Sequence, residues 1–418
     1  MVGRRELIAG GTLAALAACG PKAKAPAAPF DASDWSSVRA QFGLERDKAH
    51  FAAFVFASHP ASVRARIAEH AAGLDRDPVG YLGRHEEELE ARVVERAAAY
   101  LGVPGGEVAF TDSTTAGLGL LYSGLKLGPG DEILTTEHDF YATHESLRLV
   151  AARTGAVVRK VRLYADAARA TTDEIVSAFT AALTPSVKVV ALTWVHSGTG
   201  VRLPVRALAD AARSRTQALI CLDAVHGFGC SAGPVTDLGV DFFVSGCHKW
   251  LFGPRGTGLV WGSAEAWRRY TPVVPSFSGA GIGAWLDGTV PAREPGPLAT
   301  PGGYHTFEHR WALAEAFDFH TTIGRDRVAQ RTAALQQRLA DGLRQIPTVT
   351  VHTPKELSAG LVCCELSTAD PTTAVGRLYE QGVLASATPY RERYLRLGTS
   401  IATDETDVDR ALAAIRAL

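Results

Sequence analysis

Lys249 stands inside VSGCHKWLFGPRGTG, residues 244–258, just after an apolar strand-like run from Val240 to Val244. His248 precedes it, and three glycines and a proline follow. A lysine buried in such a setting has its charged form disfavoured and its pKa lowered. A neutral amine is a nucleophile and condenses with an aldehyde to a Schiff base. The plain alternative for the same string is a surface lysine beside a turn. A second candidate lies upstream, where Glu107 to Phe110 reads as a short strand. It runs into Thr111-Asp112-Ser113-Thr114-Thr115 and a helical stretch from Ala116 to Leu125. A strand, a turn of small hydroxyl residues and a helix leave free N–H groups and a positive dipole end facing an anion such as phosphate. Ordinary Ser/Thr capping is the alternative here.

The elements that must hold these residues follow from hydrophobic pattern. His85 to Leu101 predicts a helix with an apolar stripe at Leu89, Val93, Ala97 and Leu101, closed by Gly102. Asp131 to Thr136 predicts a strand, followed by Glu137-His138-Asp139-Phe140-Tyr141 and a helix to about Arg153. Ala156 to Leu163 is the next strand, and Thr171 with Glu174 forms a capping-box pattern for a helix through Leu183. Val187 to Val195 is nearly continuous in apolar residues, as in a strand buried on both faces. It ends in His196-Ser197-Gly198-Thr199-Gly200. A helix from Val205 to Arg213 leads to a strand, Ala218 to Leu222, that ends in Asp223. This alternation predicts an α/β domain with a largely parallel sheet. Such sheets bind ligands at the carboxyl ends of their strands, where all these polar clusters fall.

After Trp261 the pattern changes. Pro272 to Gly303, rich in Gly and Pro, reads as a long loop or lid. Helices are expected from Trp311 to His320, Arg325 to Gln345, near Thr372 to Gln381, and from Thr406 to Leu418. Strands at Val349 to His352, Gly360 to Leu366 and Leu395 to Leu397 alternate with them, which suggests a smaller α+β domain. The expected division is 1–29 leader and tether, 30–79 a segment packing with the small domain, 80–310 the large domain, and 311–418 the small one.

Ser-Gly-Cys-His-Lys-Trp followed by Gly-Pro-Arg-Gly-Thr-Gly resembles the lysine segment of the class V aminotransferases. These are fold-type I pyridoxal-phosphate enzymes, with an aspartate aminotransferase-like large domain built on a mostly parallel, seven-stranded sheet. The wording is closer to the isopenicillin N epimerase branch than to the cysteine desulfurases, and the resemblance covers roughly residues 80 to 418. It implies that pyridoxal 5'-phosphate is held on Lys249, which also shuttles the Cα proton. It implies that Asp223 pairs with the ring nitrogen, keeping the ring protonated and an electron sink. Most members show Asp-x-Ala-Gln there. This chain has Asp223-Ala224-Val225-His226, so His226 inherits the hydrogen bond to the ring hydroxyl.

By the same resemblance Thr114 and Thr115 fall at the phosphate turn, and Thr115 matches the phosphate-contacting hydroxyl. His138 matches the ring-stacking histidine, with Phe140 and Tyr141 as alternative flat faces. The family's asparagine near Ser197 is absent, as is its serine two residues before His248. Gly246 stands there, with Ser245 one step away. Ser197, Ser245 and His248 complete the expected cofactor contacts. Arg396, in Leu-Arg-Leu-Gly, matches the arginine that forks onto the substrate α-carboxylate, geometry a lysine does not supply. A homodimer is implied, with Gly302 to Thr306 reaching the neighbour's phosphate. The desulfurase nucleophile has no counterpart in Ala385 to Arg391, which lacks cysteine. Amino-group transfer ranks first, beside epimerisation and β-elimination, for all begin with loss of the Cα proton. A non-catalytic pyridoxal-phosphate binder is the competing class.

Length and composition set the outer bounds. The 418 residues, 46% hydrophobic, suffice for a large core in two domains. A net charge of −1 excludes the basic excess of a nucleic-acid protein. The six cysteines, Cys19, Cys221, Cys230, Cys247, Cys363 and Cys364, show no metal-ligand spacing. Cys363 and Cys364 read as small core residues of LVCCEL. At the N-terminus Arg4-Arg5 precedes an apolar run to Ala18, too short for an ordinary membrane span. The twin arginine reads as a Tat-type signal. Leu16-Ala17-Ala18-Cys19 resembles a bacterial lipobox, implying lipidation of Cys19, and Pro21 to Pro29 forms a tether. The expected protein is exported, periplasmic or anchored to the membrane by that lipid alone, and takes an amino acid or peptide as substrate.

Overall fold

The computed structural model describes residues 30–291 and 294–418. The Arg4-Arg5 signal and the Cys19 lipidation site lie outside the described residues.

The large sheet has seven strands: β1 (Val108–Thr111), β2 (Glu132–Thr136), β3 (Val157–Val161), β4 (Val187–Thr193), β5 (Leu219–Asp223), β6 (Phe242–Gly246) and β7 (Gly258–Gly262). Their order across the sheet is β1-β7-β6-β5-β4-β2-β3. From β6 to β3 every pairing is parallel, and β7 runs antiparallel to both its neighbours. The central strands β5 and β6 are buried along their whole length, which their apolar composition requires. The expected α/β sheet is therefore present.

Helices cover this sheet: α1 (Ala61–Arg76), α2 (Pro78–Leu101), α3 (Thr114–Gly124), α4 (Tyr141–Thr154), α5 (Thr172–Ala182), α6 (Val205–Arg215) and α7 (Phe307–Ile323). One expected boundary and one expected cap differ. α2 starts seven residues before His85, because the Asp77 side chain caps the Gly80 amide and Pro78 occupies the first turn, where its missing N–H has no cost. Thr171 caps Glu174, but the Glu174 carboxylate accepts from the Ala165 amide instead of closing a capping box. Within the expected lid, Gly279–Leu286 and Pro295–Ala299 are short helices.

The second sheet, β8 (Val349–Val351), β9 (Leu361–Leu366), β10 (Ser386–Ala387) and β11 (Leu395–Gly398), is antiparallel in the order β10-β11-β9-β8. α8 (Arg325–Arg344), α9 (Pro371–Glu380) and α10 (Glu405–Arg416) pack on it through Leu335, Leu339, Leu378, Val408, Leu412 and Ile415. Leu313, Ala314, Ala316 and Phe317 of α7 belong instead to the core under the large sheet. The large core thus extends past residue 310 into α7, and a further cluster joins Phe319 and Ile323 of α7 to Val328 of α8. Residues 49–63 bridge the large and small cores: Ala49 and Phe51 join the small core, Phe54 and Val63 the large one.

Candidate active site

β1, β2, β4, β5 and β6 end on one edge of the sheet, and each delivers a polar group there. Lys249 follows β6 and is half-buried. Desolvation holds its amine down at about 8, opposed by the Asp223 carboxylate and reinforced by the Arg396 guanidinium. Its Nζ lies 3.5 Å from His226 Nε2. Trp250 Nε1 donates to His226 Nδ1 at 3.3 Å. An indole nitrogen only donates, so Nδ1 is unprotonated and the neutral ring carries its proton on Nε2. Burial and the charges of Lys249 and Arg396 keep that ring neutral, well below its ordinary pKa. His226 therefore offers an N–H donor towards the lysine.

Asp223 is fully buried at the end of β5. It accepts from the Val225 amide at 3.2 Å and from Thr143 Oγ1, on α4, at 3.4 Å. Burial pushes its carboxyl up to about 6, against the Val225 bond and the Lys249 charge. The coupling runs both ways and has a measurable consequence. Covalent attachment of pyridoxal phosphate to the apo protein should accelerate through a pH midpoint near that of the Lys249 amine. Asp223→Asn removes a charge that raises this pKa, so the midpoint should move to lower pH in the absorbance-monitored rate profile. A midpoint that stayed or rose would contradict the pairing.

The anion end is built where α3 meets β6. Ser113 Oγ caps the Ala116 amide at 3.1 Å, and the amides of Thr114 and Thr115 have no partner among the described residues. Thr114 Oγ1 accepts from the Gly246 amide at 2.7 Å, which keeps its proton available to an acceptor. His248 Nδ1 is buried with no partner among the described residues. A Cβ at residue 246 would come within 2.9 Å of the His248 ring and 3.1 Å of Thr114 Oγ1, so glycine leaves this space open. Ser245 is not brought there. Strand alternation turns it to the opposite face, and its hydroxyl donates to the Gly246 carbonyl at 3.0 Å.

His138 stacks on Tyr164 with centroids 4.0 Å apart and planes 9° from parallel. One face is thus occupied and the other is left for a planar ring. Burial, with the Arg162 charge, lowers its pKa to about 4, so it is neutral at physiological pH. Of the alternatives, Tyr141 is 68% exposed, and Phe140 sits edge-on to Tyr390 at 6.1 Å. Behind His138, the Tyr164 hydroxyl bonds His196 Nδ1 at 3.0 Å and Thr199 Oγ1 at 2.9 Å. His196 Nε2 in turn faces Asp139 Oδ1 at 3.9 Å.

Arg396 lies on β11, 7% exposed. Its Nε donates to Ser386 Oγ and its Nη1 to the Ser197 carbonyl, both at 3.1 Å, and its guanidinium rests 4.6 Å above the Phe54 ring. Nη2 has no partner among the described residues and can take a carboxylate oxygen. Ser197 Oγ bonds the Tyr390 hydroxyl at 2.7 Å. Ser197 therefore braces Arg396 through its carbonyl and Tyr390 through its hydroxyl. The residues that sequence reasoning passed over are Tyr164, Trp250, Thr143 and Phe54; Tyr390 stood in the cysteine-free segment without a role. These residues fit pyridoxal phosphate: an amine of lowered pKa, a buried carboxylate, a stacked imidazole with a free face, and an anion cradle. No cluster of metal-binding side chains occurs among the described residues.

Residues 81–407 match the family model described as aminotransferase class-V. The chain is 27% identical over 408 residues to an isopenicillin N epimerase of Amycolatopsis lactamdurans, covering 93% of this chain and 99% of that protein. It is 28% identical over 341 residues to a probable cysteine desulfurase of Vibrio cholerae, covering 77% and 80%. Among solved structures it is similar to the cystine C-S lyase C-DES in complex with cysteine persulfide, at TM-score 0.81 and 21% identity over 89% of this chain and 98% of that one. A cysteine desulfurase from Thermococcus onnurineus superposes at TM-score 0.79 and 19% identity over 91% and 97%.

Proposed function

The chain belongs to the class V aminotransferase family, whose cofactor is pyridoxal phosphate, and from that premise we propose an enzyme that removes the Cα proton of an amino acid and transfers its amino group. The observation that carries this reading is the half-buried Lys249, its Nζ 3.5 Å from His226 Nε2, with the buried Asp223 carboxylate and the Arg396 guanidinium both acting on the titration of its amine. The cofactor, when bound, supplies an electron sink for the charge left at Cα. Lys249, with a pKa near 8, holds a usable neutral fraction near neutral pH and can take and return that proton. Asp223 presents a buried negative charge to the ring nitrogen, and His226 Nε2 a donor to the ring oxygen. Arg396 fixes the α-carboxylate, which orients the Cα–H bond.

Persulfide chemistry is not part of the proposal. Cys363, across the ladder from Arg396, is buried, and burial pushes its thiol up to about 12, which disfavours the thiolate that such chemistry needs. Epimerisation is the second reading, favoured by the similarity to an epimerase along nearly its full length. The test is to incubate holoenzyme with single amino acids and short peptides in deuterated water, without an amino acceptor. One equivalent of 2-oxo acid per subunit, without ammonia, supports transfer. Deuterium at Cα with the amine retained supports epimerisation, and continuing release of ammonia or thiol supports elimination. No exchange at Cα with any of them would contradict the reading. Dimerisation is also proposed, from the exposed apolar side chains Phe277, Trp285, Leu286, Val290 and Tyr304, and export and lipidation at Cys19 from the Arg4-Arg5 and Leu16-Ala17-Ala18-Cys19 strings alone. Sedimentation and cell fractionation of the Cys19→Ala variant test these.

A further inference from the structure

A cavity of about 590 Å³ adjoins the site and shares His138, Gly198 and Tyr390 with it. Pockets of roughly 300–1,000 Å³ suit ligands far larger than a small amino acid. Its exposed rim is polar, with the carboxylates Glu137 and Glu392 on it as well as three cations, Lys160, Arg162 and Arg391. None of these three has a carboxylate partner among the described residues. Tyr390 lines this cavity and is joined through Ser197 to Arg396.

Tyr390 is held from three directions. Its hydroxyl bonds Ser197 Oγ at 2.7 Å, and the Ser197 carbonyl takes Arg396 Nη1, so the carboxylate clamp and the tyrosine share one brace. Its ring lies against Gly198, where a Cβ would approach ring atoms to 3.2 Å, so a larger residue there would push the ring out of place. The segment that carries it closes on itself: the Thr388 amide donates to the Tyr394 carbonyl and the Tyr394 amide to Thr388 Oγ1, both at 2.9 Å. A hydroxyl so fixed beside the clamp discriminates between side chains instead of adapting to each.

We infer that Tyr390 is a specificity-determining residue: the substrate is an α-amino acid with an extended polar side chain, which passes Tyr390 and lies in the adjoining cavity. This rests on the reading of Lys249 and Arg396 given above. The test compares holoenzyme with Tyr390→Phe, which keeps the ring packed on Gly198 and so guards against misfolding. The probes are alanine and γ-glutamylglycine, which share the α-amino acid end. Binding is followed by the change in cofactor absorbance, and kcat/KM by Cα–deuterium exchange. The wild type should prefer γ-glutamylglycine. Tyr390→Phe should cut that preference about 2- to 10-fold, chiefly through KM and the dissociation constant, as loss of one hydrogen bond does. If alanine exchanges and the preference is absent or identical in Tyr390→Phe, the side-chain route is overturned while the catalytic reading stands. If neither probe binds or exchanges, the catalytic reading fails and this inference fails with it.

Discussion

Lys249→Ala should lower turnover of the best amino acid by about 10³-fold or more. A positioned proton-transfer group alone contributes about 10²- to 10⁴-fold, and this residue is also the covalent anchor. The loss should not come from unfolding. The amine is held near 8 by desolvation, which means that burying its charged form works against the fold. Its folded pKa lies below the ordinary lysine value, so the unfolded chain binds more protons between about 8 and 10.5, and wild-type stability falls as pH drops through that window. The alanine variant should therefore melt no lower than the wild type at neutral pH, and its unfolding should lose that part of the pH dependence. A small diffusible amine should restore part of the activity. Retention of more than a tenth of wild-type turnover would contradict the assignment.

Arg396→Ala should raise KM by roughly 30-fold to more than 1,000-fold, since removing one partner of a buried, hydrogen-bonded charge pair costs about 2–5 kcal/mol. Arg396→Lys should recover little of this. A lysine has no planar fork and cannot reach Ser386 Oγ, the Ser197 carbonyl and a substrate oxygen together. The control is an amine without the carboxylate. With it, wild type and variant should bind equally weakly, because the arginine then has nothing to clamp. Unchanged kcat/KM for amino acids in Arg396→Ala would remove the carboxylate argument.

The parts of this site legible in the sequence are those whose role is set by a local string. Lys249 after β6, Asp223 at the end of β5 and Thr114 at the start of α3 each sit where a strand ends on the binding edge of the sheet. Arg396 is marked by its short strand near the C-terminus. The parts not legible arise from approach in space. Ser197 and Tyr390 are 193 residues apart in sequence, and neither string hints at their hydrogen bond. Tyr164 stands behind His138 because β2 and β3 are neighbours, a pairing that no single strand declares. Trp250 settles the tautomer of His226 only once the turn after β6 folds back on the turn after β5. Ser245 shows the opposite failure, since a period of two already places it and Gly246 on opposite faces. The missed start of α2 at Pro78 was also readable, in the Asp77-Pro78 cap.

The most direct test of the central claim is to reduce the protein, reconstituted with pyridoxal phosphate, with borohydride and map the modified residue by mass spectrometry of its peptides. The phosphopyridoxyl group should be found on Lys249, at one per subunit, and no modification at that peptide should occur in Lys249→Ala. A protein that stays colourless after reconstitution, or one that carries the group on another lysine, would contradict the account.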